Sequence, residues 1–268
     1  MNQQAFKTLR VITILVTITL IFASIAGAFL PATYAHDSES MAAQGIGQDY
    51  VNLFLIVPLL IVSYTLAARS NKLWTLIYGG VLFYILYSYV IYAFGVHFNR
   101  FFLVYCATLG LSIYGFIIYM MGIRQIDLST WFKDPPVKLV SIYIFAVAVI
   151  FYVLWLKTVG PPLFNGSIPK EISDYDMVVN PVHVIDISFA LPALIIGSVL
   201  LWRKSSLGYL IVSLAMVFMI VLTIALAGMV IMLVVRNISE DYTVAVVFGV
   251  LTISSIIIAI LLFRTIEQ

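Results

Sequence analysis

Residues 207–235 read LGYLIVSLAMVFMIVLTIALAGMVIMLVV, and this stretch contains no charged side chain. An apolar run of about 18 residues or more is typical of a membrane-spanning helix, because about 20 residues at about 1.5 Å each cross the hydrocarbon core. Lipid offers no partner for backbone N–H and C=O groups, so a spanning segment must pair them within its own helix. The stretch therefore predicts a transmembrane helix.

Seven further runs have the same character and extend the prediction to the whole chain. Hydrophobic residues make up 63% of the 268 residues and charged residues only 10%. The mean hydropathy of +1.12 excludes an ordinary soluble domain. The fold class expected is an all-α polytopic membrane helix bundle of about eight transmembrane helices, forming a single integral membrane domain over residues 1–268. The eight runs are 11–30, 50–68, 73–95, 100–121, 139–157, 182–202, 207–235 and 243–263.

The first run allows two interpretations, and both stay open. Lys7 and Arg10 form a basic start, and residues 30–35 (LPATYA) resemble a signal-peptide cleavage site. Residues 1–35 are therefore either the first transmembrane helix or a cleaved signal peptide, in which case seven helices remain. The apolar stretch 11–30 is longer than a usual signal-peptide core, which favours the helix. A retinal protein is not indicated, because the last two runs contain no lysine.

Charged residues predict how the helices are oriented. With the N-terminus inside, ten of the fourteen basic residues lie in inner segments, which agrees with the positive-inside rule. We therefore expect an integral protein of a prokaryotic plasma membrane, with both termini in the cytoplasm. Most of the acids fall on the opposite, outer side. They are Asp37, Glu39, Asp49, Glu171, Asp174, Asp176, Asp186, Glu240 and Asp241.

The clearest candidate for a functional site is residues 180–186, Asn-Pro-Val-His-Val-Ile-Asp. Asn180 is expected to cap a helix whose first turn contains Pro181. His183 and Asp186 are three residues apart and would share one helix face. A carboxylate about one turn inside the membrane is costly and usually faces protein or water. The pair is either a ligand, base or proton-relay site, or a structural polar contact that closes the bundle.

Other polar residues are expected at the same depth. Asp49 and Asn52 begin the second run, where Asp49 could equally act as a helix cap. His97 and Asn99 lie in the tight turn between the third and fourth runs, and Asn99 could cap the fourth helix. Tyr87 lies nearer mid-membrane, where its hydroxyl group needs a partner. The depth of these segments predicts that they converge on one outer pocket.

A divalent metal is a further hypothesis for this pocket. His97, His183 and Asp186, with Asp49 or Asp176, would provide a nitrogen and oxygen ligand set suited to zinc. No tight ligand spacing such as HExxH supports the set. A cofactor therefore stays unidentified at this stage.

Three functions fit these observations. The leading hypothesis is an outward-facing polar pocket that binds or transports a small polar or amphipathic ligand. The first alternative is a membrane-embedded enzyme at the outer leaflet, either a metal-assisted hydrolase or a lipid- or quinone-modifying protein. A Ser/His/Asp hydrolytic set with Ser63 or Ser188 as nucleophile is a separate hypothesis, and nothing in the sequence fixes its geometry. The second alternative is a non-catalytic assembly subunit that uses small-residue faces such as Gly110 and Gly115. The expected partner is the lipid bilayer, no basic run indicates nucleic acid, and the oligomeric state is open. The pocket residues are Asp186, His183, Asp49, Asn52, His97, Asn99, Asn180 and Tyr87.

Overall fold

The computed structural model describes residues 3–239 and 242–267, and its part of the chain contains eight helices long and apolar enough to cross a membrane. The predicted all-α polytopic bundle is thereby confirmed. The predicted outer acids Glu240 and Asp241 lie outside the described residues. The helices are α1 Gln3–Phe29, α2 Glu39–Ala67, α3 Lys72–Gly95, α4 Phe102–Ile123, α5 Val137–Asn165, α6 Pro181–Trp202, α7 Ser206–Val235 and α8 Thr243–Phe263.

Two helices extend beyond their predicted limits at one end of the bundle, which we call the acidic end. Among the described residues, this end is formed by 30–38, 96–101, 166–180, 236–239 and 242. Helix α2 begins at Glu39, with the Ser38 hydroxyl accepting from the Met41 N–H, so Asp49 is not its cap. Helix α5 continues through Pro161 and Pro162 to Asn165. Both prolines lie in its last two turns, and each lacks the N–H that would bond to the carbonyl group four residues earlier.

The α4–α5 connection folds onto the protein. Its apolar side chains Leu128 and Phe132 are buried. Phe132 stacks on Tyr209 of α7 with ring centroids 4.9 Å apart. Hydrogen bonds join the same segment to the C-terminal residues, including Lys133 N–H to the Thr265 carbonyl at 2.8 Å.

Helices α2 and α6 share an unusual feature at corresponding positions. Each contains a single π-helical turn, Asn52–Ile56 in α2 and Asp186–Ala190 in α6, and each turn is followed by a proline, Pro58 or Pro192. The two turns are 134 residues apart (186 minus 52), and so are the two prolines (192 minus 58). Single π-helical turns inside α-helices are rare and occur frequently at functional sites.

The same offset relates the two halves of the chain, although the sequence alone showed us no shared motif. Residues 58–77 and 192–211 both fit the pattern Pro-x-Leu-Ile-x4-Leu-x2-Arg-x3-Leu-x2-Leu-Ile. The starts of α1 and α5, and those of α3 and α7, have this spacing too. So do Ser70 and Lys204, the two residues with positive φ in the turns after α2 and α6. Helices α1–α3 and α5–α7 therefore repeat one arrangement, and we call α1–α4 the first copy and α5–α8 the second. Four crossings return the chain to its starting side, so the copies have the same orientation in the membrane.

Contacts between the copies follow this pseudo-symmetry in part. Gly47 of α2 packs against the backbone of Gly228 and Met229 in α7, and the corresponding Pro181 packs against Gly95 of α3. Beyond that point the pairs differ. The α2–α7 contact is extensive and the matching α3–α6 contact is small, and α1 packs closely on α4 whereas α5 touches α8 only sparsely. The second copy is therefore more open than the first.

Candidate functional site

A cavity of about 260 Å³ occupies the opening in the second copy. Side chains of α2, α3, α5, α6, α7 and α8 line it, so both copies contribute to its walls. At the acidic end the lining includes Tyr175, Met177 and Asn180, and near the middle of the bundle it includes Leu194 and Phe218. Most lining side chains are apolar, as is typical of ligand-binding cavities.

Asp186 is the one carboxylate among the described residues that line the cavity. It lies at the start of the π-helical turn of α6 and is 8% exposed. The Tyr87 hydroxyl donates to its Oδ1 at 2.9 Å, and the Trp155 indole N–H donates to its Oδ2 at 2.8 Å. No lysine, arginine or histidine is among the described lining residues. The two donors therefore orient the carboxylate but do not neutralise its charge.

His183 and Asn180 lie at the start of α6, three and six residues before this carboxylate. The His183 ring lies on the Trp155 ring with centroids 4.5 Å apart, and its Nε2 lies 3.0 Å from Glu171 Oε1. Asn180 accepts from the Val182 N–H at 2.9 Å, as the sequence predicted for a helix cap. Its side-chain amide also donates to Glu171 at 3.2 Å. Glu171 thus links the 166–180 segment to the start of α6.

Asp49 belongs to a second network, on the first copy. It is fully buried and accepts hydrogen bonds from the Tyr34 hydroxyl at 2.5 Å and the Tyr92 hydroxyl at 2.9 Å. Gly27 of α1 makes room for it, since a Cβ at that position would lie 1.7 Å from Asp49 Oδ2. Tyr92 also lines the cavity, so its hydroxyl connects the cavity wall to this second carboxylate.

Asn52 extends the second network toward mid-membrane. Its Oδ1 accepts from the Tyr84 hydroxyl at 3.2 Å, and Tyr84 in turn accepts from Gln48, a cavity-lining residue, at 3.5 Å. The Asn52 side-chain amide nitrogen is buried and has no hydrogen-bond partner in the structure. In the copy relation Asn52 corresponds to Asp186 and Asp49 to His183. Equivalent positions of the two copies therefore both carry polar side chains.

His97 lies in the α3–α4 turn, apart from both networks. Its Nδ1 and its backbone N–H each lie 3.0 Å from Asp37 Oδ1, and its Nε2 lies 3.7 Å from Asp176. The hydrogen bond with Asp37 raises the pKa of His97 above its ordinary value. Asn99 caps the following turn through the Phe101 N–H at 2.8 Å. These residues join three connections at the acidic end.

The His97–Asp37 pair predicts a pH-dependent stability. Because the folded-state pKa is raised, the added stability is fully present below the unfolded pKa of about 6.5 and is lost as pH rises through the higher folded value. We expect His97→Gln to lower the melting temperature by a few degrees or less at pH 6, since partly exposed pairs contribute little. Melting curves of both proteins in detergent should converge by about pH 9. A difference that persists at that pH would contradict the role of the ion pair.

The structure divides the predicted pocket set into three groups rather than one. Asp186 and Tyr87 are in direct contact, and His183 and Asn180 lie at the start of the same helix as Asp186. Asp49 and Asn52 lie in the second network, and His97 and Asn99 in the loops. His97, His183 and Asp186 were considered as metal ligands. The described residues contain no group of three or more His, Cys, Asp or Glu side chains placed to hold a metal ion, so these three are not assembled as a ligand set.

Sequence reasoning missed several residues of the site. Trp155 and Tyr92 were not considered as partners, because each belongs to a different helix from the carboxylate that it binds and nothing local relates them. The proposed nucleophiles Ser63 and Ser188 bind carbonyl groups of their own helices, at Leu60 and Val184. Comparisons of this chain with known proteins match no family model, no curated protein and no solved structure.

Proposed function

We propose that this membrane protein binds a small amphipathic molecule in the cavity at Asp186 and moves it across the bilayer. The observation that carries the proposal is the cavity itself, an apolar chamber within the bundle with one oriented carboxylate in its wall. An apolar chamber with few, well-placed polar groups is the usual form of a small-molecule site. An amphipathic ligand would match both parts of that lining.

The repeat supports transport over simple binding. Many secondary transporters consist of two structural repeats, with the substrate site at the repeat interface on helices that are locally irregular. Here both copies line the cavity, and Asp186 starts the π-helical turn of α6. The helices of the first copy pack closely and those of the second are more open. The same repeated unit can therefore adopt both a closed and an open arrangement, as alternating access requires.

Trp155 offers a direct test of binding, because its indole N–H contacts Asp186 and its side chain lines the cavity. We would replace Trp74, Trp131 and Trp202 with phenylalanine and titrate the remaining tryptophan in nanodiscs with 4-phenylbutan-1-ol, a small neutral amphiphile. A saturable change in fluorescence is expected. The matched control keeps only Trp74, which is not among the described lining residues and should show no saturation.

Transport needs a second measurement with the same probe class. Liposomes that contain the protein should exchange a labelled, saturably bound amphiphile faster than protein-free liposomes. If the amphiphile binds but its exchange is not accelerated, the protein is a membrane receptor or binding protein and not a transporter. A linear, non-saturating Trp155 response identical to that of the Trp74 control would contradict the proposed function.

A further inference from the structure

We infer that the ligand of the cavity is an organic cation, such as a protonated amine or a quaternary ammonium compound with an apolar body. This inference rests on the proposed function and specifies its substrate class. It follows from the charges of the residues that line the cavity. The bundle architecture and the repeat do not specify the charge of the ligand.

The first argument is that Asp186 has no cationic side chain as a partner. Its two hydrogen bonds come from the neutral groups Tyr87 and Trp155. The described cavity lining contains no basic side chain. The ring of His183 lies against Trp155, and its Nε2 lies 3.0 Å from Glu171 Oε1. A positive charge on His183 would therefore be paired with Glu171 rather than with Asp186. A buried charge without a partner is costly, and a cationic ligand would supply the missing partner.

The second argument is the aromatic wall beside the carboxylate. Tyr87 packs edge-to-face on Phe218 with centroids 5.0 Å apart, and Trp155 packs against Phe151 at 6.3 Å. All four rings line the cavity. Aromatic faces attract ammonium groups, most strongly when the site is removed from water. The same rings contribute apolar surface for the ligand body, and they would not bind a strongly hydrated metal ion well.

The third argument is the charge of the segment that borders the cavity at the acidic end. Residues 166–180 contribute Tyr175, Met177 and Asn180 to the lining. Within that segment Glu171, Asp174 and Asp176 outnumber the single basic residue, Lys170. A mouth of this sign raises the local concentration of cations and lowers that of anions. An anionic amphiphile would meet both this segment and Asp186.

Three probes of nearly equal shape test the inference in the protein that retains only Trp155. They are benzyltrimethylammonium, its neutral carbon isostere neopentylbenzene, and the anion phenylmethanesulfonate. Titrations in nanodiscs, corrected for uptake by protein-free nanodiscs, should show the cation binding at least tenfold more tightly than the neutral isostere, with the anion weakest. This comparison needs no substitution at the site.

Two variants locate the source of the preference. Asp186→Asn should remove the tenfold advantage of the cation while the neutral probe binds as before. Asp134→Asn removes an equal charge from an exposed residue in the α4–α5 connection, at the other end of the bundle and outside the lining, and should keep the preference. Equal binding of cation and neutral isostere, or a preference that survives Asp186→Asn, would overturn the inference while leaving the binding function intact. Failure of all three probes to saturate would overturn both proposals.

Discussion

Gly47→Val is expected to destabilise the bundle by about 3 kcal/mol or more and to lower its melting temperature by roughly 10 °C. A Cβ at Gly47 would lie 2.4 Å from the Gly228 carbonyl oxygen and 2.8 Å from the Met229 Cα. Both are backbone atoms of α7, which cannot rotate away as a flexible side chain could. The valine would therefore push α2 and α7 apart where the two copies meet most closely.

Gly110→Val is the matched control, since a Cβ at Gly110 would have no neighbour within 4 Å outside its own helix. Circular dichroism melts of both variants in one detergent would measure the difference directly. If the two variants melt at the same temperature as the wild type, the α2–α7 contact is looser than the structure has it. Gly110 was a candidate for a small-residue contact face, and within the chain it packs on nothing that valine would displace.

The close contact at Gly47 also bears on how the cavity is formed. Its counterpart at Pro181 and Gly95 is a proline ring against a glycine, and beyond that point α3 and α6 separate around the cavity. A proline at the start of α6 needs no N–H, and it also prevents the backbone-to-backbone approach that Gly47 allows. One substitution between the copies, glycine in α2 and proline in α6, thus accompanies the change from a closed to an open interface.

The helices were predictable because hydropathy depends on local composition. All eight spans lie where the apolar runs are, and α8 has the predicted bounds of 243–263. The start of α2 was missed because residues 39–49 are too polar for a hydropathy argument. Ser38 and the helix-forming Met41, Ala42 and Ala43 are the signals that could have revealed it. Correct placement of that start moves Asp49 from a cap to a buried position.

The repeat and the site needed the folded chain. Matching leucines and isoleucines are uninformative in a chain where most residues are apolar. The irregular turns at Asn52 and Asp186 made the 134-residue offset recognisable. Asp186 was identified from its predicted depth in the membrane. Its partner Trp155 lies 31 residues earlier on a different helix, so no local pattern in the sequence relates the two. Contacts between distant segments are set by packing, which no local pattern encodes.

Asp49→Leu is expected to cost roughly 2–6 kcal/mol, because it leaves the Tyr34 and Tyr92 hydroxyl groups buried without an acceptor. Leucine branches at the same carbon as aspartate, but its methyl groups are larger than carboxylate oxygens, so crowding beside Gly27 and the two hydroxyl groups adds to the cost of the single variant. The triple variant Asp49→Leu/Tyr34→Phe/Tyr92→Phe removes donors and acceptor together. Replacing both partners by apolar groups of the same shape can be nearly neutral, so most of the lost stability should return.

The triple variant also separates a structural role of Asp49 from a functional one. Tyr92 lines the cavity and donates to Asp49, which makes this network a route by which a proton could leave the cavity wall for a second carboxylate. If Asp49 only closes the first copy, the triple variant will melt near the wild-type temperature and exchange a bound amphiphile at the wild-type rate. If Asp49 takes a proton during transport, the variant will melt as the wild type does, bind the probe and fail to exchange it. A triple variant as unstable as Asp49→Leu alone would contradict the hydrogen-bond account of the network, because no unpaired hydroxyl would remain to explain the loss.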